Sequence, residues 1–127
     1  MPNKLSPKLN TKLTNKETGA KGEKLAQEFL SKLGYEIIEV NKRFSRFCEI
    51  DIIAKDRDTL VFVEVKTRSS DFCGSGFEAI TKTKYEHIKI GLFTYLKEAG
   101  NKYKKFRIDA ISVILNPSLK INHLKNI

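Results

Sequence analysis

Residues 48–68 read CEIDIIAKDRDTLVFVEVKTR, two apolar runs on either side of a short polar turn. Apolar runs of this length that are bounded by a turn predict two antiparallel strands, residues 49–54 and 60–67. The second run is apolar on both faces at its start, which is typical of a strand at the centre of a sheet. A four-residue loop between the strands would pair Lys55 with Leu60 and so fix the register of the hairpin.

Charged side chains interrupt both apolar runs at positions that this register brings together. Asp51 would lie opposite Glu64, and Glu49 opposite Lys66, with Cβ atoms about 4.5–5.5 Å apart. Two carboxylates in contact are destabilising unless a divalent cation such as Mg²⁺ lies between them. The other interpretation is a set of cross-strand ion pairs on an exposed sheet face, each worth about 0.2–1 kcal/mol. Spacing alone leaves both interpretations open.

Strict alternation along the first of these strands assigns its side chains to two faces. Ile50, Ile52 and Ala54 are expected on one face, and Glu49 and Asp51 on the other. The pattern therefore predicts an apolar core face and an acidic face.

The segments around this hairpin complete an α/β fold. A first helix, three strands, a second helix and two strands predict a single domain with a mixed β-sheet flanked by helices, because the second helix crosses over to add a parallel strand. Residues 41–47 are basic and predict an irregular connection, and residues 68–76 predict a loop. The predicted helices are residues 18–33 and about 76–99, and the remaining predicted strands are residues 35–40, 106–115 and 119–124.

The composition is typical of one soluble domain that binds a polyanion. The 127 residues include 24 Lys and Arg against 15 Asp and Glu, a formal charge of +9. An excess of this size favours nucleic acid as the partner, the alternative being a lysine-rich proteome in which proteins are basic in general. Residues 1–18 are polar and rich in lysine, and they predict a flexible basic arm in front of a domain formed by residues 19–127.

The sequence also predicts a cellular compartment. No apolar run approaches the roughly 18 residues that a membrane helix needs, and no apolar segment follows the lysine-rich N-terminus as it would in a secretory signal. Two cysteines, Cys48 and Cys73, without such a signal suggest a reducing environment. We therefore expect a cytoplasmic protein with no membrane partner.

The acidic hairpin resembles a known nuclease pattern. An acidic residue on a first helix, followed by Asp51 and then by Glu64-Val65-Lys66 at the end of an apolar strand, is similar to the PD-(D/E)XK pattern. Glu23, which borders the apolar stripe of the first helix, supplies the first of these residues. The resemblance implies a restriction-endonuclease-like fold.

A closer resemblance is to the YraN-like family of small bacterial proteins, which is itself similar to archaeal Holliday junction resolvases. It extends from about residue 19 to the C-terminus and includes four further short motifs. These motifs are Gly22-Glu23-x-x-Ala26, Glu78-Ala79-Ile80 followed by Lys84, Arg107-Ile108-Asp109, and Ile121-x-His123-x-x-Asn126.

The resemblance implies a role for each residue of the pattern. Asp51, Glu64 and the backbone carbonyl of Val65 would bind Mg²⁺ or Mn²⁺, and Glu23 would complete the metal shell directly or through water. Lys66 would position the attacking water or help to deprotonate it. Phosphodiester hydrolysis needs an activated water and neutralisation of phosphate charge, which a metal beside a lysine supplies.

Four basic residues outside this set are candidate contacts to nucleic acid. Arg43 and Arg46 alternate with phenylalanines within residues 41–47, a pattern that either grips phosphates and stacks on bases or tucks its aromatic rings into the core. We expect both behaviours, with the arginines on phosphate and at least one phenylalanine buried. Arg68 follows the Glu-Val-Lys strand directly, and Lys84 extends the basic surface.

Three functions fit these observations. The first is a metal-dependent endonuclease that acts on DNA rather than RNA, with branched DNA as the substrate that the likeness to resolvases implies. That likeness also implies a homodimer. The second is a non-catalytic nucleic-acid-binding module that retains the nuclease fold, and the third is a basic assembly factor with a protein or RNA partner.

Overall fold

The structure of the protein is a computed structural model that describes residues 13–127. Residues 1–12, most of the predicted basic arm, lie outside the described residues. The first helix, α1, spans Asn15–Lys32 and begins earlier than predicted. It begins there because of a capping box, in which the Thr14 hydroxyl accepts from the Glu17 amide at 3.1 Å and the Glu17 carboxylate accepts from the Thr14 amide at 2.9 Å.

Five strands and a second helix follow α1 along the chain. Their bounds are Glu36–Ser45 for β1, Cys48–Asp56 for β2, Thr59–Ser70 for β3, Lys82–Glu98 for α2, Lys105–Asn116 for β4 and Lys120–Leu124 for β5. The strands form one sheet in the order β1-β2-β3-β4-β5, in which β3 and β4 are parallel and the other neighbours are antiparallel. The predicted α/β class, the mixed sheet and the central position of β3 are confirmed. Neither helix within residues 13–127 is long and apolar enough to cross a membrane.

Two predicted connections differ from the observed ones. The irregular segment predicted over residues 41–47 is wrong, because β1 continues through Asn41 to Ser45 with shifts in its pairing to β2. The observed connection after β3 begins later in the chain than the predicted loop, and it also ends later. A left-handed residue, Gly76 (φ 97°), precedes a short 3₁₀ turn, and α2 begins only after Thr81, whose hydroxyl accepts from the Lys84 amide at 3.1 Å.

The sheet separates two apolar cores, one beneath each helix. On the α1 side, Ala26 and Leu30 pack with buried β-branched residues of β2, β3 and β4. On the α2 side, Ile88 and Leu92 pack with Phe62 and its neighbours. The predicted arrangement of a helix on each face of the sheet is confirmed.

The hairpin of β2 and β3 has the predicted register at its turn but loses it before the acidic residues. Lys55 pairs with Leu60 as predicted, and the paired residues end at Ile52 and Val63. Ile52 belongs to the core on the α1 side, whereas Ile50 belongs to the core on the α2 side. The predicted common face of Ile50, Ile52 and Ala54 is therefore wrong. Side-chain alternation is interrupted at the residue between Ile50 and Ile52, which is Asp51.

Candidate metal and nucleic-acid site

Asp51 lies where the regular pairing of β2 with β3 stops. Its Oδ2 atom accepts a hydrogen bond from the backbone N–H of Val65 at 2.8 Å. The side-chain carboxylate thus takes the place of the backbone carbonyl that would continue the ladder. The Val65 amide therefore keeps a hydrogen-bond partner although the regular pairing of β2 with β3 has ended. This bond fixes the carboxylate of Asp51 against the backbone of β3.

Glu64 lies one residue before Val65 and is almost completely buried, with 3% of its side chain exposed. Its Oε2 atom lies 3.3 Å from Nζ of Lys66 and 3.2 Å from Nζ of Lys84. Its Oε1 atom is buried and has no hydrogen-bond partner among the described residues. A buried carboxylate oxygen without a partner is costly, and a cation or a donor from a ligand would satisfy it.

The three predicted carboxylates influence one another. Burial and, second to it, the negative charge of Glu64 together raise the pKa of Asp51 to about 8, against the opposing hydrogen bond from the Val65 amide. Burial also raises the pKa of Glu23, which hydrogen bonds from Asn41 and Asp51 partly offset, and the charge of Glu64 acts in the same direction as burial. The structure therefore brings Glu23, Asp51 and Glu64 to one place, with Lys66 beside them.

The donor set suits a hard divalent cation in its chemistry. Carboxylate and carbonyl oxygens are the ligands that Mg²⁺ and Mn²⁺ take, and the unpartnered Oε1 atom of Glu64 is an oxygen that such an ion would engage. Within residues 13–127 no three side chains of His, Cys, Asp or Glu are gathered into a group that could hold a metal ion. The pair Asp51 and Glu64, with the backbone of Val65 adjacent, offers oxygens that would fit the ion, and Glu23 lies beside this pair.

A groove of about 1300 Å³ leads away from these residues along α1 and the end of β3. Glu23 and Val65 lie at its wall, and Lys21 and Arg68 contribute positive charge to it. α1 approaches β3 closely here, because Gly22 is buried against the side chain of Thr67. The groove therefore meets the carboxylate site at Glu23.

The predicted basic and aromatic segment divides between the core and solvent. Phe44 stacks on Phe62 with ring centroids 5.9 Å apart, whereas Phe47 is 67% exposed. The expectation that at least one phenylalanine packs into the core is confirmed. Arg43 is engaged within the hairpin, because its guanidinium donates to the carbonyl of Ser45 at 3.2 Å and to the carboxylate of Glu49 at 3.2 Å. The predicted cross-strand partner of Glu49 was Lys66, and this part of the register is wrong.

Two further predicted nucleic-acid contacts, Arg68 and Lys84, come from β3 and α2. Arg68 follows Lys66 on β3, and its buried Nε atom has no partner among the described residues. Lys84 was predicted only as part of a basic surface, but it reaches from α2 into the carboxylate site. Sequence reasoning missed this contact, because it depends on where α2 begins.

A second buried cluster lies apart from the carboxylate site and holds the C-terminal segment. Asp109 is fully buried, and its carboxylate contacts Nε2 of His123 at 2.8 Å and accepts from Nε of Arg107 at 2.9 Å and from the backbone N–H of Asn126 at 3.0 Å. Burial alone would raise the pKa of Asp109, but these hydrogen bonds outweigh it and hold the pKa below its usual range. Residues of two of the further sequence motifs thus meet in a structural cluster.

Comparison with known proteins places related chains across nearly the whole sequence. The pattern of the uncharacterised protein family UPF0102 matches residues 22–113. A UPF0102 protein of Caldicellulosiruptor saccharolyticus is 43% identical over 117 residues, which cover 90% of this chain and 98% of the relative. A UPF0102 protein of Syntrophomonas wolfei is 39% identical over 113 residues, covering 88% and 97%. One of Clostridium botulinum is 46% identical over 103 residues, covering 80% and 83%.

Proposed function

The chain belongs to the uncharacterised protein family UPF0102, and from this premise we propose that it is a metal-dependent endonuclease that hydrolyses phosphodiester bonds in DNA. The family carries no described activity, so the proposal rests on the chemistry of the carboxylate site. It includes the restriction-endonuclease-like fold, Mg²⁺ or Mn²⁺ as the cofactor and branched DNA as the substrate.

The observation that carries the proposal is the pair formed by Asp51 and Glu64. The carboxyl group of Asp51 is partly buried and has its pKa raised to about 8, and the neighbouring Glu64 is buried with one oxygen that has no partner among the described residues. Such a pair contributes nothing to stability that an apolar pair would not, so it suits a site whose charge is used for binding. A groove with basic residues in its wall also reaches Glu23 and Val65, the neighbours of this pair, in a chain with a formal charge of +9.

Each side chain of the site has a task in this reaction. Asp51 and Glu64, with the carbonyl of Val65, would hold the ion, which when bound activates water and neutralises phosphate charge. The hydrogen bond between Asp51 and the Val65 amide keeps these ligands in one orientation. Lys66, 3.3 Å from Glu64, would donate a hydrogen bond that orients the attacking water or help to move its proton, and Glu23 would order water at the edge of the site.

The basic residues of the groove and of α2 supply contacts to phosphates on either side of the reacting one. Arg68 offers an N–H group that has no partner within residues 13–127, and Lys84 carries a second ammonium group beside Glu64. Contacts of this kind position a nucleic acid without reading its sequence. The homodimer and the cytoplasmic location expected from the sequence stay predictions.

Cleavage assays on a panel of linear, single-stranded, flapped and four-way DNAs, with and without Mg²⁺ or Mn²⁺, test the proposal. We expect metal-dependent cleavage by the wild type and a loss of at least about 10²-fold in Glu64→Gln, which keeps the size of the side chain and removes its charge. Glu86→Gln makes the same change at an exposed position on α2 and should cleave like the wild type.

The same panel separates the proposed nuclease from its alternative. Cleavage that persists in Glu64→Gln would come from a contaminant or from another site, and it would contradict the proposal. Absence of cleavage by the wild type, with DNA affinity equal in wild type and Glu64→Gln, would instead establish a binding module that retains the fold.

A further inference from the structure

The turn between β1 and β2, on the hairpin that carries Asp51, presents an aromatic ring to solvent. Phe47 lies in this turn and is 67% exposed, more than any other large apolar side chain of the described residues except Phe72. The guanidinium of Arg46 lies 5.6 Å from the centroid of the Phe47 ring, and the ring of His87 lies 6.1 Å from it at an interplanar angle of 35°. Two sequence-adjacent residues of a hairpin and one residue of α2 thus form a small platform, which we define as Arg46, Phe47 and His87.

Contacts beneath the platform hold it in place. The guanidinium of Arg43 donates to the carbonyl of Ser45 and to the carboxylate of Glu49, which closes the turn from within. The thiol of Cys48 donates to the carbonyl of His87 at 3.1 Å and so ties the hairpin to α2. An exposed ring on a turn that is fixed from below costs little conformational entropy when a ligand covers it.

The platform and the carboxylate site are built on the same two parts of the fold, α2 and the hairpin of β1 and β2. His87 follows Lys84 by three residues on α2, so the two side chains lie on the same face of the helix, and Lys84 contacts Glu64 at 3.2 Å. On the hairpin, Phe47 comes just before β2, and about 13 Å of extended chain separates it from Asp51. A strand of nucleic acid that rests on Phe47 could therefore extend to Asp51 and Glu64.

We propose that Arg46, Phe47 and His87 form a binding site for an unpaired nucleobase of the substrate strand. The inference rests on the proposed function and adds the part of the substrate that the protein reads. Aromatic rings and arginine guanidinium planes stack on bases that are not stacked in a duplex, and such stacking tolerates any base because each has a π face. A duplex keeps its bases covered, so this site favours strands with exposed bases next to the scissile phosphate.

Phe47→Trp provides a direct readout of stacking, because the chain contains no other tryptophan. The Phe47→Trp protein is titrated in EDTA with a 12-residue oligothymidylate and, separately, with an abasic oligomer of the same length and charge, while the tryptophan fluorescence is recorded. We expect oligothymidylate to quench this fluorescence strongly and the abasic strand to quench it little. Phe93→Trp is the matched control, since Phe93 is 52% exposed on the same helix as His87 but packs against Phe106 at the start of β4, at the far end of the sheet.

Phe47→Ala measures how much stacking on the Phe47 ring contributes to the affinity for a single strand. Stacking of one base contributes a factor of about 5 to 150 in affinity, so Phe47→Ala should weaken oligothymidylate binding by a factor in this range and leave binding of the abasic strand unchanged. Phe47→Tyr, which keeps the ring, should restore the affinity.

Three results would overturn the inference: equal quenching by both strands, equal quenching of the two tryptophan variants, or no quenching at saturating oligothymidylate. The titration contains no metal ion, so its outcome is independent of cleavage. A wild type that cleaves DNA while Phe47→Trp is not quenched would remove the base site and leave the proposed nuclease. Selective quenching in a protein that cuts nothing would support the base site and remove the nuclease.

Discussion

The ammonium group of Lys84 lies 3.2 Å from the Oε2 atom of Glu64, although the two residues come from a helix and a strand that are separated by a long connection. Lys66 contacts the same oxygen at 3.3 Å, so two cations share one oxygen, and the other oxygen has no partner in the part of the chain that the structure describes. Lys84 therefore partly neutralises the carboxylate that a metal ion would use, and it should compete with that ion.

Removal of Lys84 should strengthen metal binding. Lys84→Met keeps an apolar stem and deletes one positive charge close to Glu64, and at such a distance a unit charge contributes about 1 kcal/mol or more, even with solvent screening. We expect the dissociation constant for Mn²⁺, measured by calorimetry, to fall about fivefold or more. Lys82→Met deletes the same charge from an exposed position in the first turn of α2 and should change it little. Weaker binding by Lys84→Met would show that Lys84 organises the site instead of competing for it.

The raised pKa of Asp51 predicts how the stability of the metal-free protein depends on pH. A carboxyl group with a pKa of about 8 in the folded protein and about 3.9 in the unfolded chain binds more protons when folded. Its contribution to stability is complete below about pH 4 and is lost as the pH rises through about 8, with a slope of at most about 1.4 kcal/mol per pH unit. Asp51→Asn removes this titration.

Urea unfolding in EDTA at several values of pH measures the difference. The free energy of unfolding of Asp51→Asn should decline less than that of the wild type between about pH 5 and 8, so that the variant is the more stable protein at the upper end. Asp71→Asn, which alters an exposed carboxylate, tests whether the loss of any carboxylate changes the slope. Parallel profiles for Asp51→Asn and the wild type would show that Asp51 is ionised in the folded protein at neutral pH.

The fold could be predicted from the sequence because its signals are local. The short polar turn fixed Lys55 opposite Leu60, and a helix between two apolar strands required a parallel crossover, so the mixed sheet followed. The β1 strand was predicted too short for the opposite reason. Its second half is polar and basic, and it is a strand because Phe44 packs on Phe62 across the sheet, which no local pattern records.

The sequence predicted which residues lie together in the candidate site, but not how their side chains are arranged. The Asp and Glu-x-Lys spacing brought Asp51, Glu64 and Lys66 together, but alternation placed the apolar residues of β2 on one face. The hydrogen bond from the Val65 amide to Asp51 interrupts that alternation, and it is a contact between strands. The approach of Lys84 depends on the start of α2, which the left-handed Gly76 and the Thr81 cap set several residues later than hydrophobic periodicity indicated.

Asp109 should be the most sensitive single carboxylate for folding. It is fully buried, pairs with Arg107 and hydrogen-bonds to His123, and removing one member of a buried ion pair leaves the other without that partner. We expect Asp109→Asn to lower the free energy of unfolding by about 3–5 kcal/mol in urea titrations. Asp58→Asn is the control. Asp58 forms an ion pair with Lys105 in which both side chains are largely exposed, and such pairs contribute about 1 kcal/mol or less to stability. Similar losses in the two variants would mean that the cluster of Asp109 adds no more than a surface pair.

The close approach of α1 to β3 gives the last prediction, which uses two glycines of the same helix. A Cβ atom on Gly22 would overlap the side chain of Thr67, whereas one on Gly19 would meet nothing within 4 Å. Gly19→Ala should therefore stabilise the protein by about 0.5–1 kcal/mol through helix propensity, and Gly22→Ala should destabilise it by about 1–3 kcal/mol because the same gain is outweighed by overpacking.

Thermal and urea unfolding of both variants, with Thr67→Ala added to Gly22→Ala, separates the two effects. Thr67→Ala removes the atoms nearest to the new methyl group. Gly22→Ala should therefore lower the free energy of unfolding less when Thr67→Ala is already present than when it is made in the wild type. Because Glu23 is carried next to Asp51 by this same approach of α1, Gly22→Ala should also weaken Mn²⁺ binding while Gly19→Ala leaves it unchanged. Equal effects of the two glycine substitutions on stability and on metal affinity would mean that α1 can move away from β3 without cost to either, and Glu23 would then have no place in the site.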